Sequence, residues 1–257
     1  MKNTVRLLLL IGILGLGFSQ ETSAQILNIE KARMDNDTLE AFIGNATFNF
    51  TLKQRNTQLV SMRSILNLTH ATKKHNYIFI GNLHLIKVEG RDVISDGSSH
   101  VRWNIMKRRK LSYEVFAQAQ YDQARGMNHR FLFGGDVRFR LRHSDKITLA
   151  ASTGAMYEKE DWFFQDVAAT TELIKSTSYI AIQNRFSNRL EINCISYYQA
   201  RFDDFFKPRV TADVNINIRI TKLFSFNSTF QGIYDAAPVV PVRHLFYTFA
   251  NGITLKF

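Results

Sequence analysis

VTADVNINIRI, Val210 to Ile220, places Val214, Ile216, Ile218 and Ile220 on one side of an extended chain and Asp213, Asn215, Asn217 and Arg219 on the other. A period of two marks a β-strand with one apolar and one polar face. RFLFGGDVRFRLR, Arg130 to Arg142, repeats the pattern: Phe131, Phe133, Val137, Phe139 and Leu141 face one way, Leu132, Asp136, Arg138, Arg140 and Arg142 the other. Each ribbon is greasy on one wall and charged on the other.

Working outward from these two, alternating segments recur near Leu39–Leu52, Gln58–Thr69, Asn76–Val88, His100–Lys107, Leu111–Asp122, Lys146–Tyr157, Ser178–Phe186, Leu190–Gln199, Lys222–Tyr234 and His244–Phe257. That gives about 12 strands, an even number, most of them long enough for a bilayer, which a tilted strand crosses in about 9 to 11 residues. With the N-terminus inside, the inner turns ATKKHN, KRRK, RHSDK, FSNR and ITK are short. The outer links EGRDVISDGSS, DQARGMNH, EKEDWFFQDVAATTELIKST (Glu158–Thr177), ARFDDFFKPR and DAAPVVPVRH are longer, and only the link near Gln54–Thr57 breaks the rule. Short periplasmic turns alternating with longer outside loops are what a barrel of the outer membrane has. The fold class expected is all-β, a transmembrane antiparallel up-and-down β-barrel.

The start of the chain agrees. MKNTVRLLLLIGILGLGFSQETSAQ carries Lys2 and Arg6, an apolar run from Leu7 to Phe18, and the small residues Thr22, Ser23 and Ala24. This reads as a secretory signal peptide over 1–24, cut after Ala24, with 25–257 as one barrel domain. The run is shorter than the ~20 residues of a membrane helix, so any span is made of strands. Formal charge is +11; removing Lys2, Arg6 and Glu21 leaves +10. A basic balance suits nucleic acid, an anionic membrane surface or an anionic solute. No basic helix or aromatic-interleaved basic patch supports nucleic acid. The single cysteine, Cys194, forms no internal disulfide.

In the last strand Leu245, Tyr247, Phe249, Ile253, Leu255 and Phe257 share a face. Unpaired backbone in a bilayer costs several kcal/mol per group, so the last strand is expected to pair with the first. A terminal Phe257 on that strand resembles the C-terminal assembly signal of bacterial outer-membrane proteins. Three stretches, Leu111–Leu141, Tyr179–Gln199 and LFYTFANGITLKF at the end, together resemble the salt-induced outer-membrane protein family, catalogued as a domain of unknown function. In that family a strand ending YD, a loop with Arg-Gly and a returning strand are typical; here they read YDQARGMNHRF. The resemblance spans Leu39–Phe257, implies an outer-membrane barrel of a Gram-negative bacterium, and brings no catalytic residues. This chain departs from the pattern at Glu158–Thr177.

The polar wall gathers Arg63, Arg102, Glu114, Asp136, Arg138, Arg140, Glu191, Asp213 and Arg219, with arginine in excess. Two readings stand. Rings of arginine favour anionic solutes passing through or binding in a lumen; alternatively, narrow barrels fill themselves with cross-paired charges and are nearly plugged. The first makes a passive channel or binding barrel for small anionic solutes, the second a structural or stress-related envelope protein. Tyr77, Trp103, Tyr113, Tyr121, Tyr157, Tyr234 and Tyr247 lie near strand ends, where aromatic girdles form. A lipid hydrolase needs Ser and His within hydrogen-bond reach, and no motif frames such a pair, so no enzyme is expected. No metal motif or cofactor fingerprint is present. The expected partners are outer-membrane lipid, the barrel-assembly machinery and small solutes.

Overall fold

The computed structural model describes residues 40–107, 109–144, 146–221 and 223–255; the expected signal peptide and the assembly role of Phe257 lie outside them. Twelve strands follow one another: β1 (Ala41–Gln54), β2 (Gln58–Ala71), β3 (His75–Val88), β4 (Arg91–Ile105), β5 (Leu111–Asp122), β6 (Met127–His143), β7 (Ile147–Phe164), β8 (Val167–Ser187), β9 (Leu190–Arg201), β10 (Arg209–Arg219), β11 (Phe224–Asp235) and β12 (Leu245–Leu255). Each pairs antiparallel with the next in a single sheet whose spatial order is the chain order. The fold is the expected all-β, up-and-down arrangement.

Burial is the reverse of a soluble protein's. Phe133 is 61% exposed on β6, whereas its neighbours Leu132 and Gly134 are buried, and the alternation continues through buried Asp136 and Arg138. On β7, Glu158 and Glu160 have no accessible surface while Tyr157 and Phe163 are exposed. Apolar side chains outward and charges inward is the arrangement a bilayer requires of a spanning sheet. Tyr77, Trp103 and Tyr113 form an outward aromatic row at the end carrying the short turns, where Tyr77 and Trp103 stack at 5.9 Å. Tyr157, Tyr234 and Tyr247 lie outward toward the other end, with Tyr121. Tyr113 and Tyr121 are eight residues apart on β5, ~26 Å along a strand, comparable with an apolar band of about 25 Å.

Two expected outer loops are strands instead. The link after β3 is only Glu89 and Gly90, both at positive φ (50° and 75°), and β4 resumes at Arg91. Glu158–Thr177 is no loop: β7 runs through it to Phe164 and β8 starts at Val167, the turn being Gln165 and Asp166 at φ 48° and 63°. Two consecutive positive φ values make the primed turn whose twist matches a two-residue hairpin. The usual Asn-Gly signature is missing there, which hides the hairpin. The Asp122–His129 segment contracts to a 3-10 turn, Gln123–Arg125, with Asp122 accepting from the Arg125 amide at 3.2 Å.

The expected pairing of the last strand with the first is not met among the described residues, which contain eleven ladders, β1–β2 through β11–β12. The sheet nonetheless curls back on itself. Arg125, beside β6, sits 4.8 Å over the ring of Phe246 on β12, and Val240, in the β11–β12 link, is buried against Met127 and Trp162.

Candidate functional site

Inward side chains of neighbouring strands meet in rows set by register. Arg130 lies opposite Glu160 and Asp136 opposite Gly154. Gly154 is required there: a Cβ would stand 2.0 Å from the Gly135 carbonyl oxygen and 2.4 Å from Asp136 Oδ1. Glu114 lies opposite Asp136 and Ser112 opposite Arg138.

Two ionic clusters result. Nearer the long hairpin, Arg130 Nε donates to Glu158 Oε2 at 3.0 Å and lies 2.8 Å from Glu160 Oε1. Arg209 donates to Glu158 Oε2 (3.3 Å), Glu160 Oε2 (3.2 Å) and Asp235 Oδ2 (2.8 Å). Lys175 Nζ donates to Glu158, and Trp162 Nε1 donates to Glu160 Oε2 at 3.1 Å. Arg130, Lys175 and Arg209 thus face Glu158, Glu160 and Asp235, cation for anion. In the second cluster Arg102 Nη1 donates to Glu114 Oε2 at 2.6 Å, Tyr179 Oη donates to the same oxygen at 3.0 Å, and Arg138 Nε lies 3.8 Å from Glu114 Oε1. Asp136 sits opposite Glu114 in the ladder, so this cluster sets two carboxyl groups beside two guanidinium groups. Phe116, Leu132, Met156, Tyr179, Ile195 and Tyr197 pack into one apolar cluster on the same inner wall.

Several of these contacts are chords rather than neighbours. Glu114 on β5 meets Tyr179 on β8; Arg130 on β6 meets Gln199 on β9 at 3.3 Å; Glu158 and Glu160 on β7 meet Arg209 on β10. Strands three apart touch only if their side chains cross the inside of a tightly curved wall. A buried carboxylate without its partners would cost far more than the pairing returns, so the clusters hold together or fail together. At the end carrying the long hairpin the β11–β12 link adds Val240, with Val239 and Val242, over Met127, Trp162 and Phe164. Arg125, in its turn below, lies 3.8 Å from Asp122; burial pulls its guanidinium down to about 10, a shift that Asp122 opposes.

Toward the short-turn end the inner wall is half-exposed and sets amides and hydroxyls among charged groups, with Arg185 lying 3.8 Å from Glu191. Asn215 donates to Thr229 at 3.0 Å, Asn67 to Asn45 at 2.9 Å, and Gln183 to Glu191 at 3.0 Å. Of the residues expected on the polar wall, Arg102, Glu114, Asp136 and Arg138 come together. Arg140 is a row further, donating to the Lys107 carbonyl; Asp213 accepts from Gln231 at 2.8 Å; Arg63 is half-buried opposite His84. Glu191 joins the amide wall, and Arg219 is exposed at the end of β10, away from both clusters. The expected arginine excess does not extend to the buried clusters. Arg130, Glu158, Glu160, Lys175 and Arg209 were outside the expected set. Arg130 already shared a face with Leu132 and Asp136, and Glu158, Glu160 and Trp162 continue the period of Met156, a signal masked by the apparent loop.

Among the described residues no serine hydroxyl bonds a histidine; His84 pairs instead with Asp96 at 3.4 Å. No group of three His, Cys, Asp or Glu among them could hold a metal.

The profile of a family described as protein of unknown function, DUF481, matches residues 46–240. No curated protein matches the chain. Among solved structures it is similar to a NanC porin (7% identity, 82% of this chain and 99% of that one, TM-score 0.42) and a CymD monoaromatic hydrocarbon channel (9%, 95% and 86%, 0.41). It is also similar to the Pseudomonas putida toluene transporter TodX (7%, 84% and 79%, 0.40).

Proposed function

The chain belongs to the DUF481 family, of unknown function, and from that premise we propose an integral barrel of a bacterial outer membrane that works as a binding barrel for small polar solutes. Its lumen is bridged toward the long hairpin and takes solute from the short-turn end. The observation that carries this reading is the set of chords joining β5 to β8, β6 to β9 and β7 to β10, with Glu158, Glu160 and Gln199 at most 1% exposed. The amide and hydroxyl wall of Asn45, Asn67, Asn215 and Thr229 offers donors and acceptors without net charge. The buried clusters pair their charges internally, whereas Arg140, Arg185 and Arg219 with Glu191 leave the short-turn end basic, which supports polar solutes that include small anions. Outer-membrane lipid and the barrel-assembly machinery are the partners such a protein requires.

The bridged lumen equally supports a structural, stress-related envelope role. Planar-bilayer recording separates the readings. Wild-type protein is expected to be electrically quiet. Replacing Arg130, Glu158, Glu160 and Arg209 together by serine, a charge-neutral removal, is expected to produce conductance steps. Steady anion-selective current through the wild type, altered by Arg138→Glu or Arg219→Glu, would restore the passive channel. Solute-dependent thermal protection of the quiet protein separates binding barrel from structural role.

A further inference from the structure

We propose that the outward face across β1 to β6 carries a binding site for one anionic phospholipid in the leaflet adjoining the short turns. The inference rests on the membrane-spanning reading and adds a ligand to it. A groove of about 480 Å³ is sunk into this face, lined by Phe42, Leu68, Tyr77, Val101, Trp103 and Phe133 among others. The recess is walled by a stacked series, His70 on Tyr77 at 6.0 Å and Tyr77 on Trp103 at 5.9 Å. Aromatic rings at this depth mark the headgroup level.

The links at that end supply the polar half. Lys73 and Lys74 join β2 to β3, each three residues from a groove ring, His70 and Tyr77 respectively; Arg109 and Lys110 join β4 to β5, one link further round. All four are exposed and none is ion-paired among the described residues. Neither link, TKK or MKRRK, contains an acidic residue. An apolar trough with unneutralised cations beyond its aromatic rim matches a molecule with an acyl chain and a phosphate. Basic residues beside a bilayer attract anionic headgroups over zwitterionic ones. Free phosphate would satisfy the cations but leave the trough unused.

Trp103 lines the groove and reports on it, since the other tryptophan, Trp162, is buried on the inner wall. Full-length protein would be reconstituted in vesicles containing phospholipids brominated on the acyl chain, with either phosphatidylglycerol or phosphatidylcholine headgroups. Half-maximal quenching is expected at a mole fraction roughly fivefold lower for phosphatidylglycerol, the preference expected of about one interfacial cation. Changing Lys73, Lys74, Arg109 and Lys110 together to glutamine should equalise the two lipids, and exchanging Lys for Arg and Arg for Lys at these positions should keep the preference. Inorganic phosphate should not compete. Equal quenching of wild-type protein, or a preference that survives the glutamine variant, overturns the site. Quenching by neither lipid instead overturns the membrane-spanning reading on which it rests.

Discussion

Glu158 shows how much one residue holds. Its carboxylate is shared by Arg130, Lys175 and Arg209, and all its surface is covered. Glu158→Gln keeps the shape and removes one anion from a cluster of three cations and three anions. Breaking a buried ion pair from one side costs ~3–5 kcal/mol, because a desolvated charge is left without its counter-ion. Denaturant unfolding of the refolded protein in detergent is expected to show a loss of that order. Glu172, whose contact with Lys159 lies in solvent, is the control: Glu172→Gln is expected to leave the midpoint unmoved. Equal effects from both would mean that the lumen is wet and the cluster merely a solvated patch. The inner wall was readable in part because period two assigns every residue of an unbroken strand to a face. That rule found Arg102, Glu114, Asp136 and Arg138. It could not say which of them meet, since Tyr179 reaches Glu114 across three strands and no local spacing encodes a chord.

At the scale of the element, the β7–β8 hairpin was the hardest to read. EKEDWFFQDVAATTELIKST is polar on both faces: Glu158 and Glu160 point into the cluster, while Lys159 and Glu172 pair on the outside at 2.6 Å. A strand standing above the membrane has water rather than lipid against its outer wall, so apolar alternation vanishes although the ladder continues to Phe164 and Val167. The turn gave no help because Gln165 and Asp166 hold positive φ without glycine. Such conformations cost an L-residue roughly 1 kcal/mol each. Replacing the pair by Gln165→Asn with Asp166→Gly relieves both without touching the clusters. The thermal midpoint in detergent is expected to rise, with the change confined to stability and no effect on conductance. A fall would mean that the turn is not of the primed type.

At the scale of the whole molecule, the strand count and strand order followed from alternation and link length, but closure did not. Among the described residues β1 and β12 each have one ladder. The burial gradient runs the same way. β1 is exposed along nearly its whole length, whereas β6, β7 and β8 bury their inner faces in the charged clusters and the apolar cluster beneath Tyr179 and Tyr197. A backbone amide is protected from exchange by the free energy needed to open its hydrogen bond, and regions with few buried contacts open first. Hydrogen–deuterium exchange of the detergent-solubilised protein is therefore expected to label β1 and β12 earliest and β6 to β8 last, by orders of magnitude in rate. In bilayers the cost of bare backbone rises, so the lag between seam and clusters should shrink most at β1 and β12. Uniform protection around all twelve strands in detergent would mean that the seam is sealed by a ladder, with the cylinder's stability spread evenly rather than anchored on the chords.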